Sequence, residues 1–595
     1  MTPNIRNISI IAHIDHGKTT LTDRLMMATN TITQREFHDR LLDSNPIEQE
    51  RGITIKLAPV KMTYKYAQED YTINLIDTPG HVDFGYEVSR SLAACEGAIL
   101  LVDATQGIQA QTLSNLEKAR QLGLKILVVL NKIDLPASDP ETITLDLVET
   151  LDIDPEDIYQ VSAKTGHNID QLFQAIITKI PAPAVSEDKP LRALVFNSTY
   201  HSHKGVVAFV KVTDGCIFAD QTLALVSNHE LFSPKEIGIF SPTMRPITKL
   251  EAGQVGYLAT GFKQVSLVKA GDTVTDQHQL ETIQPLPGYR EPQPVVFMDL
   301  FPIEGKDFPL LQEAIEKITL NDAALQYSRT SSQALGKGYR VGFLGALHAE
   351  IVLERIKREH NLELIPTAPT VVYKVTTTRG EEIVVNNPSE LPDPSEIDHI
   401  KEPVATVTVF TPEEYLGSII QLVNDHRGDL INQTYIGKRI KLEYLIPMAE
   451  LIINFYDRLK SVSQGYASLE YQPFDYQSAD AVKLTILINK EPIEALSQIV
   501  IRSKALDMGK RITQKLSEAI PRQNFEIPIQ AAIGGTILAR VTLKAFRKDV
   551  TAKLYGGDIT RRKKLLEKQK KGKKIRSQYA KVEIPQSAYL SVLKQ

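Results

Sequence analysis

Through the first 184 residues, short apolar runs alternate with mixed stretches, the order expected of strands buried on both faces with helices packed over them. Ile8 to Ile11 is one such run. Leu21 and Leu25 then share a face of a helix that opens near Lys18. Further apolar runs span Ile73 to Ile76 and Ile126 to Leu130, and another precedes Ser162. A polar stretch from Asn30 to Arg51 separates the first two. From about Lys189 to Gln284 the pattern changes to Val, Ile and Thr strands broken by glycine turns, as in "GVVAFVKVTDG" and "GQVGYLATG". Gly342 to His360 opens with a turn and continues as an amphipathic helix. Glu402 to Gly428 alternates strand-like and helix-like periods, and the residues after Lys483 end in a dense run of lysine and arginine.

Composition narrows this little. The 595 residues predict about four domains at roughly 150 residues each. A hydrophobic share of 42% and a charged share of 24% are ordinary for a soluble globular chain. Cys95 and Cys216 stand apart, which argues against a zinc site or a disulfide framework and suits a reducing compartment. "MTPNIRNISIIAHIDHGK" does not read as a secretory signal, and no apolar run approaches the 18 residues of a membrane helix. The expectation is a cytoplasmic protein.

Chemistry enters at the ends of the apolar runs. "AHIDHGKT" matches the phosphate-loop pattern G-x-x-x-x-G-K-[ST] except that Ala12 replaces the first glycine. Alanine costs little there if the backbone stays in a region open to L-residues, because only positive φ demands glycine. Asp15, His16, Gly17, Lys18, Thr19 and Thr20 are the expected phosphate contacts. Loop N–H groups and the helix N-terminus face the phosphates, Lys18 brings a point charge, and the Thr19 hydroxyl binds Mg²⁺. His13 and His16 are read as side chains that shape the loop.

"INLIDTPGH" places Asp77, which reaches Mg²⁺ through water, and Gly80, whose N–H faces the γ-phosphate. "NKID", Asn131, Lys132, Ile133 and Asp134, ends the next strand. A carboxylate there accepts two hydrogen bonds from guanine that adenine does not offer, so the nucleotide is GTP or GDP. "SAK", Ser162, Ala163 and Lys164, closes the base pocket. Four motifs, each at a strand end, imply a doubly wound α/β domain with its ligand at the carboxyl ends of the strands. "ERGITI", Glu50 to Ile55, lies in the polar stretch and reads as a switch that orders around GTP, with Thr54 as the second protein ligand on the metal. His81, directly after Gly80, stands where small GTPases orient the attacking water, and is the catalytic candidate. No residue offers an obvious arginine finger, so turnover without a partner should be slow.

"AHIDHGKTT", "RGITI", "DTPGHVDF" and "NKID" resemble the translational GTPases, in which the alanine form of the loop also occurs. That resemblance implies a pair of apolar residues gating the water-positioning histidine until the ribosome triggers hydrolysis. The matching positions are Ile14 and Ile53. Residues 189–284 resemble the second, β-barrel domain of these factors. Residues 290–370 and 400–482 resemble the third and fifth domains of elongation factor G and suit ferredoxin-like α+β folds.

The large fourth domain of that factor has no counterpart, since only a short proline-bearing connection, roughly Thr370 to Lys401, fills its place. With residues 483–595 and their basic tail, the chain resembles the LepA (elongation factor four) family. The fold class expected is multidomain: an α/β P-loop GTPase domain over 1–184, a β-barrel, two ferredoxin-like α+β domains and a distinct basic C-terminal domain. The resemblance implies a ribosome-dependent GTPase that moves misplaced tRNAs back by one codon; roles in initiation or subunit assembly have also been argued for the family. It further implies peripheral contact with an anionic membrane on the cytoplasmic face; a monomer is expected.

The tail carries its own signal. Arg547 to Arg576 holds 13 lysines and arginines against three acids, a net of +10 in a chain whose total is −4. Segregation on this scale points to a polyanion, ribosomal RNA or tRNA, with Arg561, Arg562, Lys563, Lys564, Lys568, Lys570, Lys571, Lys573, Lys574 and Arg576 as the contacts. Tyr555 and Tyr579 flank the run and can stack on unpaired bases, and Gly556 and Gly557 predict a bend before a helix. Anionic lipid would attract the same charges. Two rivals are a forward translocase or ribosome-protection GTPase, and a nucleotide-gated RNA- or membrane-binding protein whose hydrolysis is incidental. Ribosome-stimulated hydrolysis separates the second rival.

Overall fold

The computed structural model describes residues 4–13, 15–32, 46–51, 54, 57–79, 85–186, 188–287, 294–320, 322, 324–332, 335–436, 439–452, 454–546, 559–579, 582 and 584–593. The first domain is built on a six-stranded sheet: β1 (Ile5–Ala12), β2 (Ala58–Tyr66), β3 (Glu69–Asp77), β4 (Gly97–Asp103), β5 (Lys125–Asn131) and β6 (Ile158–Gln160). Its order is β2-β3-β1-β4-β5-β6, all parallel except β2. Helices α1 (Lys18–Ala28), α2 (Pro46–Arg51), α3 (Gly85–Ala93), α4 (Ala110–Gln121), α5 (Pro140–Leu151) and α6 (Ile169–Lys179) complete it.

Two apolar clusters sandwich the sheet. One joins Ile8, Ile10, Leu21, Leu25 and Phe173; the other joins Ile11, Leu100, Leu116 and Leu147. Alternate β1 side chains therefore bury on opposite faces, which is why the strand reads as a continuous apolar run.

An eight-stranded antiparallel sheet follows, with Arg192–His201 and Gly205–Asp214 at its centre. It shares an apolar cluster with the first domain, in which Ile76 and Cys95 meet Phe196, Phe209 and Tyr257. The next unit orders strand Val296–Pro302, helix Phe308–Thr319, strands Gln326–Ser332 and Gly336–Phe343, helix Ala346–His360 and strand Leu364–Pro366. The first of these strands lies between the third and the fourth, as in a split βαβ unit.

Residues 370–401 depart from the expectation of a plain connection. Tyr373–Thr377 and Glu382–Val385 form a hairpin whose first strand pairs with the start of the 16-residue strand Ile397–Pro412. The rest of that strand pairs with Arg439–Pro447 and Ser468–Ala479. The change to the last sheet falls at Asp480, because Ala481–Ile488 is one strand running through Lys483. Helix Ala505–Ala519 packs on this final sheet, with Tyr589 and Val592 of the terminal helix in the same cluster. Among the described residues no helix is long and apolar enough to cross a membrane.

Candidate nucleotide site

The carboxyl ends of β1, β3, β4 and β5 bring Ala12, Asp77, Asp103 and Asn131 to one edge. Ala12 closes β1 as an ordinary strand residue, so nothing there requires glycine. Gly17 does require it: its φ is +93, and a Cβ would lie 2.5 Å from Asn131 Nδ2. Among the described residues no side chain caps α1, so its first N–H groups are left for an anion.

Lys18 Nζ donates to Thr54 Oγ1 at 2.8 Å, to Asp77 Oδ1 at 2.9 Å and to the Thr78 carbonyl. Lys18, Thr54 and Asp77 thus converge on one point. Asp77 is fully buried, and its Oδ2 has no hydrogen-bond partner among the described residues. A buried carboxylate oxygen left open in the cluster that also holds the Thr54 hydroxyl fits water bound to a hard divalent cation.

The base side is interlocked. Asn131 Nδ2 donates to the His16 carbonyl at 3.0 Å, and Asn131 Oδ1 accepts from the Ala163 N–H at 3.0 Å. Ser162 Oγ donates to Asp134 Oδ1 at 2.7 Å, which fixes the exposed carboxylate. Lys132 Nζ donates to the Asp15 carbonyl and lies 2.8 Å from Asp103 Oδ2. Burial would raise the Asp103 pKa, but hydrogen bonds from Lys132 and Thr105 outweigh it and hold the carboxyl low. His16 is buried, with its pKa pushed down to about 3, chiefly by burial and also by His13. Its Nδ1 faces the Leu101 carbonyl at 3.3 Å, so the neutral ring carries its proton there.

Ile14, Ile53, Gly80 and His81 lie outside the described residues, as do Tyr555, Gly556 and Gly557. Thr19 and Thr20 open α1 beside Lys18; Ile133 follows Lys132, and Lys164 is exposed at the rim. Two contributors escaped the sequence reading. Arg24, six residues into α1, donates through Nε to the Ala163 carbonyl at 2.9 Å and also holds the Lys164 carbonyl. Asp103 had a usable signal, a carboxylate ending the apolar run "GAILLVD". Arg24 had none, because only the tertiary fold brings it to the base loop.

The basic tail forms helix Ile559–Tyr579, in which Arg561, Arg562, Lys563, Lys564, Lys568, Lys570 and Lys571 are exposed. Lys573, Lys574 and Arg576 fall within the helix, but their side chains are outside the described set.

A model of the elongation factor Tu GTP binding domain matches residues 3–182. One of the elongation factor G C-terminus matches 399–487, and one of the GTP-binding protein LepA C-terminus matches 488–594. With the lysine-tipped loop and the NKID pocket, these define the class: a P-loop GTP hydrolase of the translation-factor type. An elongation factor 4 from Acetivibrio thermocellus is 50% identical over 99% of this chain and 98% of its own. One from Clostridium botulinum strain Hall is also 50% identical, and one from Bacillus cytotoxicus is 49% identical. The chain belongs to the elongation factor 4 family. A crystal structure of a Thermus thermophilus protein shares the fold, with a TM-score of 0.60 over 80% of this chain and 97% of that one, at 17% identity.

Proposed function

We propose that this GTPase acts on the ribosome as a fidelity factor, moving tRNAs back by one codon where translocation has misplaced them. One observation carries the reading: the elongation factor G C-terminal match runs directly into the LepA C-terminal match, from 399–487 to 488–594. A domain built to push tRNA forward has no room between residues 370 and 399. In its place stand a short hairpin and, at the far end, a basic helix suited to tRNA or ribosomal RNA.

The chemistry is in-line attack of water on the γ-phosphate of GTP. Asn131 and Ala163 hold the base loops together, Asp134 reads guanine, and Lys18 neutralises charge on the β- and γ-phosphates. Gly80 presents its N–H to the γ-phosphate, and His81 aligns the water once the Ile14–Ile53 gate opens on the ribosome. Thr19 and Thr54 would hold Mg²⁺, with Asp77 through water, and the ion supplies further neutralisation of charge. The architecture in this reading is a GTPase domain over 1–184, a β-barrel over 189–284, ferredoxin-like domains over 290–370 and 400–482, and a family-specific domain over 483–595. The protein works as a cytoplasmic monomer, with peripheral contact to anionic membrane through the same basic helix. Reverse-transcriptase footprinting of ribosomes carrying tRNAs after translocation tests it. A one-codon backward shift that needs both the protein and GTP is expected; no shift, or a forward one, contradicts it.

A further inference from the structure

Arg439 opens the strand Arg439–Pro447 and reaches out of its own sheet into the first domain. Its Nη2 donates to the Gln106 carbonyl at 2.8 Å, and its Nη1 donates to Gln109 Oε1 at 3.3 Å. Both acceptors belong to the turn between β4 and α4. That turn is wound around Asp103. Thr105 donates to Asp103 Oδ1 through its N–H and its Oγ, each at 2.7 Å. The N–H groups of Gln106 and Gly107 donate to the Asp103 carbonyl at 3.2 and 2.8 Å. Asp103 then pairs with Lys132, whose φ is 64 and whose Nζ also holds the Asp15 carbonyl of the phosphate loop. A continuous chain of polar contacts therefore leads from the 400–482 unit to the base-side lysine.

We infer that Arg439 is a positioning residue for the guanine pocket: by fixing the 103–109 turn it keeps Asp103 pinning Lys132 beside the base, so that the 400–482 unit sets the lifetime of bound GDP. The inference rests on the GTP-hydrolase reading of the site. A neighbouring contact supplies the internal comparison. Lys118 on α4 pairs with Glu470 at 3.1 Å, joining the same two units without touching the turn.

The experiment is stopped-flow displacement of N-methylanthraniloyl-GDP from the full-length chain. Retention by the unaltered chain tests the guanine site itself; failure to retain the nucleotide would refute that site and the inference with it. Arg439→Ala is expected to raise the GDP dissociation rate about three- to tenfold, with the association rate constant unchanged. Arg439→Lys, which can still donate to the Gln106 carbonyl, should recover most of the loss, and Lys118→Ala should leave dissociation unchanged. Asp103→Asn should speed release, and adding Arg439→Ala to it should change nothing more, because both act on one contact chain. Unaltered dissociation in Arg439→Ala would overturn the inference. So would equal acceleration by Lys118→Ala, which reports only looser docking of the two units, or multiplied effects in the double variant.

Discussion

In the nucleotide site, Asn131 ties the phosphate loop to the Ser162–Lys164 loop, Ser162 fixes Asp134, and Lys132 bridges Asp103 and Asp15. Along the helix Ile559–Tyr579, by contrast, the described lysines and arginines face solvent. The first region binds by fixed geometry, in which each polar atom has one place to be. A polyanion would meet the second through charge density, in which position matters little and number matters most. Damage should differ in kind: one substitution should change what the pocket recognises, whereas removing one of the ten basic residues should be hard to detect.

The largest effect is expected at Asp134. Asp134→Asn keeps an oxygen for Ser162 and turns a donor toward the base, matching the carbonyl of xanthine where guanine has an amino group. Preference should swing from GTP toward xanthosine triphosphate by about 10²-fold or more, as for sites that read substrate by hydrogen bonds. A nucleotide competition assay decides it, and continued preference for GTP would dissolve the contrast with the tail. His81→Ala should retain GTP and ribosome binding but lose about 10²-fold in ribosome-stimulated hydrolysis, the range of a positioned proton-transfer or water-orienting group. Single-turnover rates on saturating ribosomes read this, and an unchanged rate would move the catalytic role elsewhere.

Next in size is loss of the tail. Ending the chain before Leu554 removes twelve lysines and arginines, ten of them from the basic run that ends at Arg576. Each lost phosphate contact flattens the slope of log K against log salt by roughly 0.7 to 0.9, so ribosome binding should lose a few units of slope while GDP affinity stays the same. Parallel salt lines for the full and shortened chains would show that this charge meets no RNA.

The smallest effect concerns a buried carboxyl on α3. Tyr86 Oη donates to Glu87 Oε1 at 2.9 Å, while Glu87 Oε2 is buried without a hydrogen-bond partner among the described residues. Burial pushes the Glu87 pKa from 4.5 up to about 7, with Asp322 adding to the rise and Tyr86, Arg90 and His348 opposing it. Between those values the folded chain keeps a proton that the unfolded chain has lost. The contribution is therefore complete below pH 4.5 and is lost as pH rises through about 7. Its slope is at most about 1.4 kcal/mol per pH unit. Glu87→Gln should flatten the fall of urea midpoints from about pH 5 to about pH 8; identical slopes would contradict the assignment.

Both regions were legible in the sequence, for different reasons. The residues proposed for phosphate and guanine sit at strand ends, where short range fixes them, so "AHIDHGKT" and "NKID" carried their own geometry. The tail was legible by composition alone. What escaped depends on long-range packing: Arg24 meets Ala163 across 139 residues, and Arg439 meets Gln109 across 330. The hairpin Tyr373–Val385 was masked by Pro388, Pro392 and Pro394 after it, although "YKVTTTRGEEIVV" holds a strand, a turn and a strand. Only the partner strand Ile397–Pro412 gives that short hairpin a sheet to join.

In the proposed function the ribosome switches on hydrolysis at a site already assembled for GTP. Single-turnover GTP cleavage by the unaltered chain, with and without saturating ribosomes, tests it most directly. Slow cleavage alone and a rise of about 10²-fold or more on adding ribosomes, lost in His81→Ala, are expected. Equal rates with and without ribosomes would contradict it.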